Sequence, residues 1–281
     1  MNSENIRSNR KKYIKSALVL LIVIALLLFC SYQNRHLETT YYTYKAEQLG
    51  ADLEGYRIVQ ISDLHNVKFG KNNQKLVDRI RECEPDMIVL TGDLVDSNHT
   101  NVDRAVQFVD EIVKICPVYY VTGNHEYWLD TSEYENLMDG VASAGVIILD
   151  DQVVEISRGD AKFRLVGLDD KSLADGTLEA LLSDEKELTV VLAHEPQYFA
   201  RYAGTGVDLV LSGHAHGGQF RLPFVGGIVV PDQGFLPEYT AGEYYMNGTE
   251  MIVSRGLGNS VIPVRLFNYP EIVCVELVGM H

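Results

Sequence analysis

Cysteine is scarce in this chain of 281 residues: Cys30, Cys83, Cys116 and Cys274 are the only four, and no two of them form a C-x-x-C pair. Cys30 lies in an apolar leader, which leaves three widely spaced cysteines in the body and argues against both a disulfide framework and a zinc ribbon. They read as small buried apolar side chains. No internal repeat, low-complexity stretch or Pro/Ser-rich linker follows residue 55, and with 46% hydrophobic and 22% charged residues the chain is neither disordered nor collagen-like. A second long apolar run is also missing, which excludes a multi-span membrane protein. Beyond the leader, basic charge is short: residues 36–281 carry 18 Lys or Arg against 38 Asp or Glu, a balance of −20. Such a body repels nucleic acid, so no nucleic-acid partner is expected, although a small metal-loaded cleft can still attract an anion locally.

The leader has the opposite sign, with six Lys or Arg against Glu4 in residues 1–35. Every residue from Ala17 to Phe29 is apolar, and residues 13–32 make about 30 Å of helix, enough to cross a bilayer. Lys15 sits near one end, where its stem can carry the ammonium to the headgroups. Arg7, Arg10, Lys11, Lys12 and Lys15 crowd the N-terminal flank, while Arg35 and Lys45 follow the span, so the positive-inside rule places a cytoplasmic basic tail at 1–12 and the body outside the cell membrane. The competing reading is a cleaved signal peptide, which asks for small residues where this chain has Leu28 and Phe29. Residues 9–15, Asn-Arg-Lys-Lys-Tyr-Ile-Lys, also resemble a twin-arginine signal with Lys for the second Arg.

Residues 33–54 are polar and tyrosine-rich, a stalk or a first edge strand. A single domain is expected over 55–281, a length one core can fill. Short β-branched runs at 57–62, 87–91, 118–122, 146–149, 163–167, 189–193 and 207–212 predict strands. Amphipathic runs at 73–82, 102–115, 132–144 and 178–182 predict the helices between them, with Pro85, Pro117 and Gly145 at their ends. Residues 226–278 show turns and strands without a helix. The fold class is therefore α/β, a two-sheet mixed β sandwich flanked by helices and preceded by one transmembrane helix.

Each predicted strand of the first half ends in potential metal ligands: Ser62-Asp63-Leu64-His65, then Gly92-Asp93-Leu94-Val95-Asp96, then Gly123-Asn124-His125-Glu126. Later strands end at Ala193-His194-Glu195 and at Gly213-His214-Ala215-His216-Gly217-Gly218-Gln219. Five of the eight histidines fall in these segments, in register with five strand ends, where α/β sheets place their ligand crevices. Carboxylates, imidazoles and one amide suit Mn²⁺, Fe²⁺ or Zn²⁺, and the lack of thiolates excludes a soft-metal site. A bridging carboxylate can hold two such ions about 3.5–4 Å apart, where they grip a phosphoryl oxygen and lower the pKa of a shared water.

The ordered set D-x-H, G-D-x-x-D, G-N-H-[DE], H and G-H-x-H, intact from residue 63 to 216, resembles the calcineurin-like metallophosphoesterases. The runs at 213–223 and 254–258 further resemble their membrane-anchored bacterial phosphohydrolase subgroup. The resemblance implies two divalent cations, with Asp63, His65 and His216 on one, Asn124, His194 and His214 on the other, and Asp93 bridging. It implies that His125 faces the substrate and protonates the leaving oxygen, with Asp96 as its orienting partner; the alternative for Asp96 is a carboxylate that caps its own loop. The implied activity is hydrolysis of a phosphodiester, pyrophosphate or phosphomonoester by direct attack of a metal-bound hydroxide, and the anchor points to lipid or cell-envelope substrates. A non-catalytic metal-binding interaction module on the same fold is the alternative. Lys68, Phe69 and Lys71 after the first motif can contact the rest of a substrate or be a solvated loop, and Arg255 and Asn259 can reach the phosphate or hold a hairpin by a salt bridge. Tyr127 and Trp128 read as core packing or as an aromatic wall. Asn66 stands where the subgroup has Gly.

Overall fold

The structure, a computed structural model, describes residues 3–47, 49–182, 187–230, 233–259 and 264–280, with side chains from residue 11 onward. The basic side chains Arg7 and Arg10 and the C-terminal His281 lie outside the described parts. The early strands are β1 (Glu38–Ala46), β2 (Tyr56–Ile61), β3 (Met87–Thr91), β4 (Val118–Val121), β5 (Ile147–Ile148), β6 (Gln152–Arg158), β7 (Ala161–Gly167), β8 (Thr189–Leu192) and β9 (Leu209–Ser212). Four two-residue strands follow, β10 (Arg221–Leu222), β11 (Gly226–Gly227), β12 (Val229–Val230) and β13 (Gly234–Phe235), then β14 (Gly242–Met246), β15 (Thr249–Val253) and β16 (Glu271–Gly279). The helices are α1 (Ser3–Gln33), α2 (Gln74–Glu82), α3 (Val102–Ile112), α4 (Asn124–Tyr127), α5 (Thr131–Ser143), α6 (Thr177–Leu181) and α7 (Phe199–Tyr202).

Two six-stranded sheets result, ordered β1-β16-β2-β3-β4-β5 and β14-β15-β9-β8-β7-β6. In the first, β2, β3, β4 and β5 run parallel; in the second, β15, β9, β8 and β7 do. The strands of these parallel blocks are covered on both faces, which is why β3, β4, β8 and β9 read as unbroken apolar runs rather than alternating ones. Alternation still sorts them: Ile58, Val89 and Val121 meet Leu165, Val190 and Leu211 of the other sheet in a shared core. Their neighbours Val59, Ile88 and Tyr120 face outward under α2, α3 and α5. On the far side, Val166, Val191 and Val210 pack against Phe199 and Tyr202 of α7. The mixed two-sheet sandwich with flanking helices is the expected fold class.

Differences in detail have local causes. Helix α3 stops at Ile112, three residues earlier than its apolar pattern suggests, because the chain must turn before Pro117. The strand expected at 146–149 is reduced to the two residues of β5 at a sheet edge. β6 was not expected at all; it is an exposed edge strand, antiparallel to β7, and lacks a clean apolar face. Of the two readings of 33–54, β1 is an edge strand, paired in parallel with β16 over nine residues.

Within α1, residues Lys11–Gln33 contain an 18-residue window apolar enough to cross a membrane, and none of that window is buried against the domain. Its last turn does touch the domain. The Phe29 and Phe267 rings lie 5.8 Å apart, Tyr32 meets Tyr269 edge-on, Gln33 Nε2 donates to the Tyr269 hydroxyl at 3.4 Å, and the Arg265 amide donates to Asn34 Oδ1 at 2.8 Å.

Candidate metal centre

Strands β2, β3 and β4 of one sheet and β8 and β9 of the other deliver their C-terminal ends to one place. Asp63 and His65 follow β2, Asp93 and Asp96 follow β3, Asn124 and His125 open α4 after β4, His194 follows β8, and His214 and His216 follow β9. The chain reverses sharply at these ends, and five side chains aimed at the cleft sit at left-handed φ: Asp63 at 51°, His65 at 44°, Asp93 at 54°, His214 at 62° and His216 at 47°. Non-glycine residues held there cost about 1–3 kcal/mol each and persist where the surroundings over-determine them. The flanking glycines are dictated by closeness: a Cβ on Gly92, itself at φ 88°, would run into the His194 ring and the backbone of Gly123.

The donor atoms converge as a coordination shell does. Asp63, His65, Asp93 and His216 each bring one ligand atom within 4.8 Å of the others, as do Asp93, His194 and His214. His65 Nε2 lies 3.2 Å from His216 Nε2, and His216 Nε2 lies 3.5 Å from Asp63 Oδ1. In the second set Asn124 Oδ1 is 3.1 Å from His194 Nε2 and 3.0 Å from His214 Nδ1. Ligand atoms about 2.1 Å from one ion stand about 3.0–3.4 Å apart, so these spacings fit a cation of first-row size in each set. Asp93 joins them, with Oδ2 3.4 Å from His65 Nε2 and 3.3 Å from His194 Nε2. All seven residues are buried, and an all-N/O donor set of this kind fits divalent ions.

The electrostatics are those of a site that expects cations. Burial lowers His65 to about 4 and His214 to about 3, and lowers His216 well below the usual imidazole range, so their ring nitrogens keep lone pairs. Burial pushes Asp63 up to about 6. For His194 and Asp93 burial works in the opposite sense, but their mutual charge wins: the imidazole is raised and the carboxylate lowered. His194 Nδ1 donates to the Thr91 carbonyl at 2.8 Å, which turns Nε2 toward Asp93 and Asn124.

His125 lies beside the centre, its ring 4.5 Å from that of His65 and 4.7 Å from that of Trp128. The Ser97 amide donates to His125 Nδ1 at 3.2 Å; an amide can only donate, so in the neutral ring the proton sits on Nε2. Asp96 Oδ1 is 3.7 Å from the same Nδ1 and accepts from the Asn98 amide at 3.0 Å, while Oδ2 faces His99 at 3.3 Å. It therefore both caps its own loop and flanks His125. Against burial, the Asn98 amide and the His99 ring hold Asp96 below the usual carboxylate range. His65, Asp96 and His125 form a third convergence of ligand atoms, sharing His65 with the first.

Other residues singled out by sequence divide. Lys68 and Lys71 line, with Arg104, a cavity of about 290 Å³, whereas Phe69 is buried in the core. Asn66 adopts φ 57°, a left-handed conformation that Asn tolerates better than most residues. Arg255 is committed to Glu271 at 2.7 Å and Glu38 at 2.8 Å, which is the salt-bridge alternative; Asn259 is half-buried in the same turn. Tyr127 donates to Asp169 at 2.6 Å, away from the core, and Trp128 is exposed beside His125 as a wall.

Three supporting residues were not foreseen in these roles. Glu126 is fully buried and accepts from the amides of Gly123 (2.8 Å), Asp93 (2.9 Å), Leu94 (2.8 Å) and Val95 (3.4 Å), tying the third motif to the second; burial, then the Asp93 charge, pushes it up to about 8. Arg265, also buried, donates to the carbonyls of Arg255 and Gly258. Asn268 donates to the His216 carbonyl at 2.7 Å. Glu126 was visible as the last letter of its motif; Arg265 and Asn268 sit in an irregular loop that carries no pattern.

A model of the calcineurin-like phosphoesterase family matches residues 56–218, more than half of the chain and all five strand ends. The chain is a calcineurin-like phosphoesterase. It is 32% identical over 262 residues to the uncharacterized metallophosphoesterase YkuE of Bacillus subtilis (strain 168), covering 89% of this chain and 88% of that one. It is 30% identical over 228 residues to the phosphodiesterase YaeI of Escherichia coli (strain K12), covering 79% and 82%. A transmembrane protein with metallophosphoesterase domain from Danio rerio is 28% identical over 256 residues, covering 82% of this phosphoesterase and 55% of the relative. The family and the donor sets call for divalent metal ions and a phosphate-ester substrate.

Proposed function

We propose that this phosphoesterase is a dinuclear-metal hydrolase of phosphodiester or pyrophosphate bonds, tethered by α1 with its catalytic domain on the extracytoplasmic side. The observation that carries the reading is Asp93: one carboxylate oxygen faces both histidine sets at 3.3–3.4 Å, as a bridge between two ions must. Bound there, two divalent ions supply Lewis acidity toward a phosphoryl oxygen and lower the pKa of a shared water. Asp63, His65 and His216 hold one site, and Asn124, His194 and His214 the other. As an imidazolium, with Nδ1–H toward the Asp96 carboxylate 3.7 Å away, His125 gives its Nε2 proton to the leaving oxygen and is left as the neutral ring. Trp128 closes one side of that position. The name of the Escherichia coli relative supports diester cleavage, and α1 with its basic flank supports the tether and its direction.

The test is metal content together with turnover on nitrophenyl phosphodiesters, measured on the full chain in detergent with Mn²⁺, Zn²⁺ or Fe²⁺. Asp93→Asn should bind fewer than two ions tightly and lose most activity, whereas two tightly held ions with near-normal turnover would sink the bridging assignment.

A further inference from the structure

The residues that follow the last histidine of the centre build a small platform that takes no part in the chemistry above. β10 pairs with β11 and β12 with β13 as two short hairpins. The Arg221 amide donates to the Leu266 carbonyl, the Ile228 amide to Phe220 and the Leu236 amide to Ile228, each at 2.9 Å, so these segments lie side by side. The platform carries its apolar side chains outward. Phe224 is fully exposed, and Val225, Phe235, Leu236 and Phe267 are each more than half exposed. Val229 and Phe235 face each other across their hairpin and so share a face, while the next residue, Val230, is buried beneath. Single exposed apolar residues need no explanation, but a hydrogen-bonded surface that gathers this many marks an interaction site.

Two connections say what covers it. At one edge, Phe267 packs on Phe29, the residue that closes the apolar run of α1, so the platform begins where the span ends. At the other, the platform is continuous with the metal centre: Asn268 donates to the carbonyls of His216 and Gln219, and Gln219 Nε2 donates to the Val264 carbonyl. The domain body carries a charge balance of −20, so attraction to anionic headgroups cannot draw this face down; apolar insertion can.

We propose that the platform docks on the bilayer that holds α1, seating its phenylalanines at the boundary of headgroups and acyl chains and presenting the metal centre to a phosphoester carried in that leaflet. The proposal rests on the reading of α1 as a membrane anchor. Phenylalanine and leucine on the apolar face of interfacial segments bury at that headgroup–acyl boundary.

Trp128 is the only tryptophan, so a Trp128→Phe chain is a dark background for fluorescence. In that background, Phe224→Trp, Phe235→Trp and, within the span, Leu20→Trp are each placed in the full chain and reconstituted in phosphatidylcholine vesicles, with or without lipid brominated high on the acyl chain. Blue-shifted emission at 224 and 235, quenched by the brominated lipid to the extent seen at position 20, is expected, and either platform probe suffices should one substitution disturb its hairpin. Quenching at position 20 with none at 224 or 235 overturns the docking and leaves the anchor; blue-shifted but unquenched platform probes would then assign the surface to protein, such as a second copy of this chain. No quenching at any of the three positions overturns the anchor, and the docking with it.

Discussion

His125 and His194 are both buried imidazoles at strand ends, but their neighbours give them different work. His125 faces an amide donor and an exposed tryptophan, outside the six other donor groups gathered around Asp93. If it protonates the leaving oxygen, its value depends on how poor that leaving group is. His125→Asn should keep both metals, slow an alkyl phosphoester by about 10²–10⁴-fold, and slow a nitrophenyl ester distinctly less. Equal losses on both esters in metal-replete enzyme would refute the role, and loss of an ion would make His125 a ligand through its convergence with His65 and Asp96. His194 instead holds a proton against Asp93, its pKa raised despite burial, while His65 at about 4 and His214 at about 3 are already neutral above pH 5. A cation arriving at His194 must displace that proton. Metal uptake near neutral pH should therefore release about one proton from this ring, and affinity should weaken as the pH falls. Calorimetric titration in two buffers of different ionisation heat measures the release; binding heats independent of buffer would contradict it.

Strand ends do the assembling, and Glu126 shows how one loop is tied to another. Both of its oxygens are spent as acceptors for four amides of the second and third motifs. Gln in its place can accept at one oxygen only and turns a donor toward two amides. Measured above pH 8, where Glu126 is ionised, Glu126→Gln should cost about 1–3 kcal/mol in urea unfolding and displace Asp93 enough to weaken metal binding; a variant with unchanged stability and metal content would show that the loop holds itself. At this scale much was readable in advance. β3, β4, β8 and β9 stood out because burial on both faces makes near-continuous apolar runs, β2 by its Ile-Val-x-Ile core, and the candidate ligands because these runs are soon followed by Asp, Asn or His. β6 was not, since an exposed edge strand has no apolar face to declare, and neither were Arg265 and Asn268, whose carbonyl partners depend on the path of an irregular loop. For Arg255 the phosphate and salt-bridge readings could not be told apart in advance because its partner Glu38 is 217 residues away in sequence.

For the whole molecule, the sign of the charge on either side of α1 sets the expected arrangement. Lys11, Lys12 and Lys15, with Arg7 and Arg10 before them, precede the apolar run, and only Arg35 and Lys45 follow soon after. Protease added to intact cells stripped of any wall or outer membrane should digest the domain while a cytosolic control survives. Survival of both would reverse the orientation, and recovery of a form lacking residues 1–30 would show a cleaved leader. The leader and the acidic body were legible from composition alone. The closure of the first sheet was not: β1 and β16 pair in parallel across more than 220 residues, and no local pattern announces a partner at that distance.

That pairing dictates an order of events during synthesis. β16 is not a tail but an interior strand, lying between β1 and β2. Until it has emerged, β1 has no neighbour and β2 lacks one side, so an open, hydrogen-bond-hungry sheet edge waits while the rest of the chain is made. Long-range closure of this kind is slow and leaves the nascent chain prone to pairing with others. The first strand laid down is therefore among the last to be secured, and a chaperone that shields strand edges has its moment of use before the final nine-residue strand arrives.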